Sequence, residues 1–310
     1  MDSEAAALGW LGVPLAILSG AIRVGTPFLF VSLGECITEK GGRVNVGQEG
    51  ILMVGAMAGF ATSYMTGSPW VGVLAAGGAG LLLGVLHAAM CSAPRVNDIS
   101  IGIALMLFGT GVAFFFGKPF LHPSAPQLPG IPFGWWSDSP HVQAALRINA
   151  LFVVGVILVP LLWWGFRYTR WGIFLRTVGD SRDAALAMGL RIERIRLIAT
   201  AAGGTLSGIG GAFLSLYYPG AWNEGLSSLQ GLMAVVLVIF ARWSPVSCLW
   251  ASLLFGGAGA LAPALQSVGV TEGYQLIAAA PYVLTLLILI LTCSPRRGLI
   301  GAPGELVLNR

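Results

Sequence analysis

Apolar residues occur along the chain in nine long runs that short polar segments separate. The runs cover about residues 8–34, 50–66, 70–93, 99–117, 149–166, 195–217, 229–241, 246–264 and 276–293. A helix needs about 20 mostly apolar residues to cross the hydrocarbon core of a bilayer, and most of the runs approach or exceed that length. The pattern predicts an all-α polytopic membrane protein, a bundle of about nine transmembrane helices (range about 8–10) that forms one domain over residues 1–310.

Two runs depart from a simple span. The first contains Arg23, and an arginine at the centre of a span costs about 2.5–3.5 kcal/mol on insertion scales. We therefore expect residues 8–22 to form an interfacial or tilted helix and the span itself to begin near Gly25. The seventh run, 229–241, is short for a span.

Composition supports a membrane protein. Hydrophobic residues make up 56% of the chain and charged residues only 10%, whereas soluble domains carry about 25% charged residues. No sizeable soluble domain fits between the runs. The four cysteines have no paired spacing, so neither a disulfide framework nor a zinc site is expected.

The positions of the basic residues predict an orientation. Seven of the 17 Lys and Arg residues lie within 167–196, which is typical of a cytoplasmic loop. Alternating the nine spans from there places 14 of the 17 inside, with the N-terminus out and the C-terminus in. The net charge of +4 is thereby explained without a nucleic-acid partner.

The segment 34–50 is polar and rich in glycine, although apolar runs flank it on both sides. It is either a plain cytoplasmic hairpin or a broken helix or re-entrant loop, which is tolerated at membrane depth only where it lines a cavity. Transporters place such breaks at the substrate pathway. Asn45, Gln48 and Glu49 are then the groups available to a polar solute, and Asn97, near the end of another run, is a fourth candidate.

The basic loop, about residues 167–195, contains a predicted helix of about two turns, Ser181–Met188. Asp180 is the expected N-cap, Asp183 gives a weak capping box, and Gly189 is the expected C-terminal stop. Such a short helix is marginal in water unless something packs against it. It either lies on its own bundle or enters the groove of a partner protein, and its small apolar face is formed by Ala184, Ala185 and Met188.

The same stretch carries a resemblance to a known family. Residues 175–180, followed by 183–185 and 188–190, resemble the coupling-helix segment of ABC importer permeases, which here corresponds to Gly179, Asp180, Asp183, Ala184, Ala185, Met188 and Gly189. Residues 39–50 are similar to the signature "E-r-x-G-v-x-N-i-G-x-E-G" of the permeases that serve branched-chain amino acids, ribose-type sugars and nucleosides. Residues 242–245 and 281–285 also resemble family segments. One departure is Gly42-Arg43, where the family usually has an apolar residue after the glycine.

The resemblance is strongest to the smaller permease subunit of the nucleoside and simple-sugar branch. It implies a non-catalytic transport subunit in a bacterial plasma (inner) membrane, with nucleosides ranked before simple sugars as solutes. The implied partners are an ABC ATPase subunit that binds ATP and Mg²⁺, a second and larger permease, and an extracytoplasmic substrate-binding protein. No catalytic residue, metal site or cofactor in this chain is implied.

The lysines provide an independent test of the energy source. The two lysines of the chain, Lys40 and Lys118, are followed by Gly41 and Pro119. A Walker A motif requires Lys followed by Ser or Thr. This chain therefore has no P-loop of its own, which agrees with a separate ATPase.

Two other classes of protein remain as alternatives. An ion-coupled secondary transporter should contain inverted repeats or paired intramembrane carboxylates, and neither is evident in the sequence. A membrane-embedded enzyme acting on a lipid-linked substrate should have a cluster of carboxylates or histidines at one interface. The candidate acids, Glu35, Glu39, Glu49 and Asp98, show no metal or triad spacing.

Overall fold

The computed structural model describes residues 12–93, 95–137, 142–143, 146–270, 272–292 and 301–308, and nearly all of its regular structure is helical. The helices are α1 (Gly12–Lys40), α2 (Gln48–Thr66), α3 (Pro69–Cys91), α4 (Asp98–Gly117), α5 (Ala150–Tyr168), α6 (Arg170–Asp180), α7 (Arg182–Ala187), α8 (Ile192–Leu216), α9 (Gln230–Phe240), α10 (Pro245–Gln266), α11 (Tyr274–Ala278), α12 (Ala280–Thr292) and α13 (Gly304–Leu308).

A helix covers each of the nine apolar runs within the described residues, namely α1 to α5, α8 to α10 and α12. Six helices in this part of the chain are long and apolar enough to cross a membrane: α1, α3, α4, α5, α8 and α10. The helix of the seventh run, α9, has 11 residues and α12 has 13, so both are shorter than the about 20 residues of a full span.

The first apolar run forms one helix. We expected residues 8–22 to form an interfacial or tilted helix and the span to begin near Gly25. Residues 12–22 are continuous with the rest of α1, which passes through Arg23 and Pro27. The reason is packing against α10: a Cβ added at Gly20 or at Gly25 would lie closer than 3.0 Å to atoms of α10. Both halves of α1 thus share one tightly packed partner, which outweighs the local cost of the arginine.

Helix α8 lies at the centre of the bundle and packs against α1, α2 and α3. Its glycines allow this. A Cβ added at Gly204 would lie closer than 3.0 Å to the carbonyl oxygen of Gly80 on α3, and one at Gly203 would lie 2.6 Å from that of Gly34 on α1. Small residues let helix backbones approach closely in lipid. Most glycines of the two clusters, 77–84 and 203–211, serve this purpose, but Gly78 has nothing within 4 Å.

One end of the bundle carries most of the basic residues, and we call it the basic end; it includes Lys40, Arg95, Arg242 and residues 167–196. Helices α1, α3, α5 and α9 end there, whereas α4, α8 and α10 begin there. Contacts between distant segments demonstrate the shared location: Arg43 binds both Asp98 and Glu193. Helix α6 lies across this end and buries Leu175 and Val178 completely.

The connection between α4 and α5 contains some regular structure. It has a 3₁₀ turn (Lys118–Phe120) and an antiparallel pair of short strands, β1 (Gly130–Pro132) and β2 (Arg147–Asn149), in which Gly130 is opposite Asn149. Proline is tolerated here because Pro132 ends a strand at a sheet edge.

Three of the four cysteines, Cys36, Cys91 and Cys248, are buried free thiols. Each lies on a helix, in α1, α3 and α10 respectively. Cys293 lies outside the described residues.

Candidate functional site

The segment between α1 and α2, residues 41–47, is buried in the bundle although it has no regular structure; we call it the connector. Helix α1 ends in a turn in which the amide of Gly41 donates to Thr38 O (3.0 Å) and that of Gly42 to Glu39 O (2.8 Å). Gly42 has φ = +80°, which favours glycine. The structure thus agrees with a buried break between two helices and not with an exposed hairpin.

Glu35 of α1 organises the connector. Its Oε1 accepts the amide of Asn45 at 2.7 Å, and its Oε2 accepts Nε2 of Gln48 at 2.5 Å. Because Glu35 precedes Lys40 by five residues, the connector folds back along α1 by about 7.5 Å. Helix α2 therefore starts beside the interior part of α1 and not at its end.

The hydrogen bonds that begin at Glu35 extend to the central helix, α8. Oγ of Ser207 on α8 donates to Oε1 of Gln48 at 2.5 Å, so Gln48 joins α1 to α8. Asn45 accepts the amide of Gly47 through Oδ1 at 3.0 Å, whereas its Nδ2 is buried and has no hydrogen-bond partner among the described residues. Buried polar atoms are nearly always paired, so this amide is a group that a solute or water could satisfy.

Glu49, the next residue, binds a segment that arrives from the opposite end of the bundle. The amide of Gly231, in the first turn of α9, donates to Oε2 at 2.8 Å, and Ser227 Oγ donates to Oε1. The end of the segment 217–229 thus reaches into the bundle. Its side chains Trp222, Leu226 and Ser227 are buried, whereas residues 223–225 and 228–229 are exposed. A carboxylate at the start of a helix is favourable because the first amides of a helix lack partners.

Glu39 lies on the same side of α1 as Glu35, one turn nearer the basic end. Nε1 of Trp243 donates to its carboxylate, and both side chains are buried. Trp243 and Arg242 adopt positive φ values of 54° and 51°, which sets the sharp turn between α9 and α10. The tryptophan belongs to one of the segments that carried the family resemblance.

Arg43 connects the connector to two further helices. Its guanidinium lies 2.8 Å from Asp98 of α4 and 2.9 Å from Glu193 of α8, and it also donates to the carbonyl of Cys91 at the end of α3. Its side chain is only 7% exposed. The arginine that departs from the family pattern is therefore the centre of an ion network.

A cavity of about 900 Å³ opens beside this network at the basic end. Its walls come from the connector, the start of α4, the start of α8, α9 and α13, and it contains Glu39, Arg43, Asn97, Arg182, Arg196 and Glu305. The walls carry both signs of charge. Such a cavity suits polar solutes and water and not an acyl chain.

The four predicted pathway residues separate into two groups. Asn45, Gln48 and Glu49 are brought together in the buried connector and in the first turn of α2. Asn97 lies apart from them: it is exposed, lines the cavity and caps α4, where its Oδ1 accepts the amides of Ile99 (2.8 Å) and Ser100 (3.2 Å).

The predicted short helix forms, with changes at its start. Helix α7 is Arg182–Ala187, and its N-cap is Ser181, whose Oγ accepts the amide of Ala184 at 3.3 Å. Asp180 and Gly179 belong instead to the end of α6. The expected cap at Asp180 is wrong because α6 runs directly to that residue and leaves Ser181 as the extended residue between two helices.

The end of α7 agrees with the prediction. Gly189 has φ = +70° and its amide donates to Leu186 O at 2.9 Å, while the amide of Leu190 donates to Ala185 O at 3.0 Å. These two bonds define a Schellman motif. The apolar face needs correction, since Ala185 is fully buried against the chain itself, whereas Leu186 and Met188 are more than half exposed.

Sequence reasoning missed several residues of the site. Ser207, Ser227 and Gly231 lie far along the chain from residues 45–49 and carry no local signal. Glu35 and Trp243 had one: Glu35 directly follows an apolar run, where an unpaired acid is costly, and Trp243 lies in the family segment 242–245. Arg196 and Glu305, which meet at the cavity, were also unrecognised.

Comparison with known proteins determines the family. Residues 17–293 match the family model described as the permease component of a branched-chain amino acid transport system. The chain belongs to this permease family. The resemblance noted in the sequence is thereby confirmed, and the permease is a multi-pass membrane protein with a transport role.

Individual relatives cover most of the permease. TsgC13 of Haloferax volcanii is described as a putative glucose ABC transporter permease. It is 32% identical to this chain over 81% of this chain and 78% of its own length. The nucleoside ABC transporter permease NupC of Lactococcus lactis is 29% identical over 89% of this chain and 91% of its own. The guanosine ABC transporter permease NupQ of Bacillus subtilis is 27% identical over 88% and 90%. These likenesses favour a permease over an ion-coupled transporter or a membrane-embedded enzyme.

Proposed function

We propose that the permease forms one half of the translocation pathway of an ATP-driven importer for a nucleoside or a simple sugar. The observation that carries this proposal is the buried connector. A polar, irregular segment inside an apolar bundle is tolerated only beside a cavity or within protein, and transporters use such breaks to bind solute near the centre of the membrane. Asn45, Gln48 and Glu49 are the proposed pathway residues there, with Asn97 in the cavity at the basic end.

The chemistry of the connector supports a neutral, hydroxyl-bearing solute. The carboxylates on either side of it, Glu35 and Glu49, already accept hydrogen bonds from the protein. The charge of Arg43 is balanced by Asp98 and Glu193. Amide groups such as Nδ2 of Asn45 remain to bind ribose or sugar hydroxyls. The relatives named for nucleosides, guanosine and glucose support the same class, and we rank nucleosides first.

Helix α7 is the proposed coupling helix. It is short, it lies at the basic end, and it exposes Leu186 and Met188, so it offers an apolar contact to a separate ATPase subunit that binds ATP and Mg²⁺. The proposed coupling residues are Gly179, Asp180, Asp183, Ala184, Ala185, Met188 and Gly189. The first two end α6, Ala185 packs against the permease itself, and the other four are exposed in α7 or directly after it.

The remaining parts of the proposal concern assembly and orientation. We propose nine crossings in a single domain, with the basic end in the cytoplasm, the N-terminus outside and the C-terminus inside, in a bacterial plasma membrane. The concentration of Lys and Arg at that end supports this orientation. A second and larger permease would complete the pathway, and an extracytoplasmic substrate-binding protein would deliver the solute at the opposite end.

Transport by the reconstituted complex tests the function. The permease is purified with the subunits that assemble with it, placed in liposomes with the binding protein, and supplied with labelled nucleosides, pentoses or hexoses. We expect the uptake of labelled solute to require ATP hydrolysis. We also expect unlabelled nucleosides to inhibit that uptake more strongly than pentoses or hexoses do. Uptake driven by an ion gradient without ATP would contradict the proposal, and a preference for hexoses would change only the solute.

A variant of α7 tests the coupling role in the same assay. Leu186→Asp places a charge on the exposed apolar face and is expected to abolish ATP-driven uptake while the amount of permease in the membrane stays normal. Leu186→Met keeps the face apolar and serves as the matched control. Undiminished uptake by Leu186→Asp would remove α7 from the coupling role.

A further inference from the structure

Helix α13 brings a carboxylate to the junction between α7 and the rest of the basic end. Oε1 of Glu305 accepts the amide of Arg182, the first residue of α7, at 3.0 Å. Oε2 of the same carboxylate lies 3.3 Å from Nη2 of Arg196 on α8. The two side chains are 16% and 8% exposed, respectively, so the pair is shielded from water more than a surface ion pair is.

Arg196 carries the connection onward to the connector. Its Nε donates to the carbonyl of Gly41, the first connector residue, at 3.1 Å. Three bonds in series therefore join the first residue of α7 to the segment that contains Asn45. Each bond involves a charged group, and such hydrogen bonds contribute more to stability than neutral ones.

The backbones around this chain of bonds are in direct contact. A Cβ added at Gly304 would lie closer than 3.0 Å to Asp180 O, and one at Gly179 would lie equally close to Lys40 O. A Cβ at Gly42 would lie 3.1 Å from Gly179 Cα and 3.2 Å from Glu305 Cβ. With so little space, a displacement of α7 cannot be absorbed by a rearrangement of side chains between α6, α13 and the connector.

The same residues line the polar cavity. Glu305, Arg196 and Arg182 face it together with Arg43, whose own ion pairs hold the other end of the connector to α4 and α8. Besides the bond between Glu35 and the amide of Asn45, the connector is held at Gly41 and at Arg43. The contact at Gly41 leads to α7 through Arg196 and Glu305. A mechanical link between α7 and the connector passes through Glu305.

We propose that Glu305 is a positioning residue that ties the start of α7 to the connector through Arg196, so that a movement of α7 reaches Asn45 and Gln48. This inference rests on the proposed function of α7 as the coupling helix. Glu305 does not itself contact the solute in this proposal. Its loss should separate ATP hydrolysis from transport and leave each subunit folded.

The experiment measures solute taken up per ATP hydrolysed by the reconstituted complex. Glu305→Ala is expected to lower this ratio about tenfold, because it removes both acceptors of a charge-assisted pair, while ATP hydrolysis remains near that of the unmodified complex. Glu305→Gln, which is nearly isosteric and keeps an acceptor for the amide of Arg182, should have a smaller effect. Glu272→Gln, an exposed acid in the connection before α11, is the matched control.

A double variant tests whether Glu305 acts through Arg196. If it does, Glu305→Ala should change the ratio little in a complex that already carries Arg196→Ala. If the two substitutions lower the ratio independently, so that the double variant shows the product of the two losses, the proposal is overturned. It is also overturned if Glu305→Ala alone leaves the ratio unchanged or lowers hydrolysis and uptake equally. Absence of ATP-dependent uptake by the unmodified complex would instead overturn the proposed function and, with it, this role of Glu305.

Discussion

At the scale of single residues, the site is defined by acids that are buried and fully engaged. Glu35 and Glu49 each accept one backbone amide and one side-chain donor. An unpaired carboxylate in an apolar bundle would be strongly unfavourable. The donors therefore stabilise the acids, and the acids in turn hold the connector and the end of the segment 217–229 against the bundle interior.

Replacement of Glu49 tests this mutual stabilisation. Glu49→Leu leaves the amide of Gly231 and the hydroxyl of Ser227 without an acceptor, and we expect a loss of about 1–3 kcal/mol in the free energy of unfolding. Glu49→Gln keeps one acceptor oxygen and should cost less. The measurement is the midpoint of thermal unfolding of the purified permease in detergent, with Glu272→Gln as the control. A midpoint for Glu49→Leu equal to the control would show that the contact does not stabilise the bundle.

At the scale of helices, the fold depends on how closely α8 approaches α1, α2 and α3. Glycine is required where the backbones meet, as at Gly204 against Gly80, and is not required where a helix faces outward, as at Gly78. Periodicity in the sequence does not separate these cases, because all three glycines lie in similar apolar surroundings. The difference comes from which face of each helix meets another helix.

A pair of alanine variants tests this difference. Alanine has a higher helix propensity than glycine by about 1 kcal/mol, so Gly78→Ala, with nothing within 4 Å of the new Cβ, should leave the unfolding temperature unchanged or raise it. Gly204→Ala must push α8 away from α3, at a cost of about 1–3 kcal/mol, and should lower it. Equal unfolding temperatures for the two variants would contradict the packing described for α8.

At the scale of the whole molecule, the two ends differ in charge and in contents. The basic end contains α6, α7, the polar cavity and α13, whereas the opposite end contains β1, β2 and residues 217–229. This asymmetry supports the proposed arrangement, in which an ATPase would bind at the basic end and a substrate-binding protein at the opposite end.

Cysteine labelling tests which side is which. In a background with Cys293→Ser, the native Cys36, Cys91 and Cys248 are buried, so a single added cysteine reports its own position. We expect Glu272→Cys to react with a membrane-impermeant maleimide in intact cells and Asp183→Cys to react only after permeabilisation. The reverse pattern would contradict the proposed orientation, and labelling of both in intact cells would contradict a separation of the two ends by the membrane.

The sequence by itself determined the helical architecture, the positions of the nine apolar helices, the short helix that Gly189 follows, and the family. These are local properties: run length, charge placement and end signals act over a few residues, and the motifs are contiguous. The cost of a single residue does not determine where a helix is interrupted, as the continuous passage of α1 through Arg23 shows.

Only the tertiary structure decided which polar groups form the site. Glu49 meets Gly231 across 182 residues, Gln48 meets Ser207 across 159, and Glu305 meets Arg182 across 123. A serine or glycine on an apolar helix looks the same in sequence whether it faces lipid or a carboxylate. Its partner is determined by the three-dimensional packing of the whole bundle, because close backbone contacts set which helix faces meet and buried charges must then find donors among them.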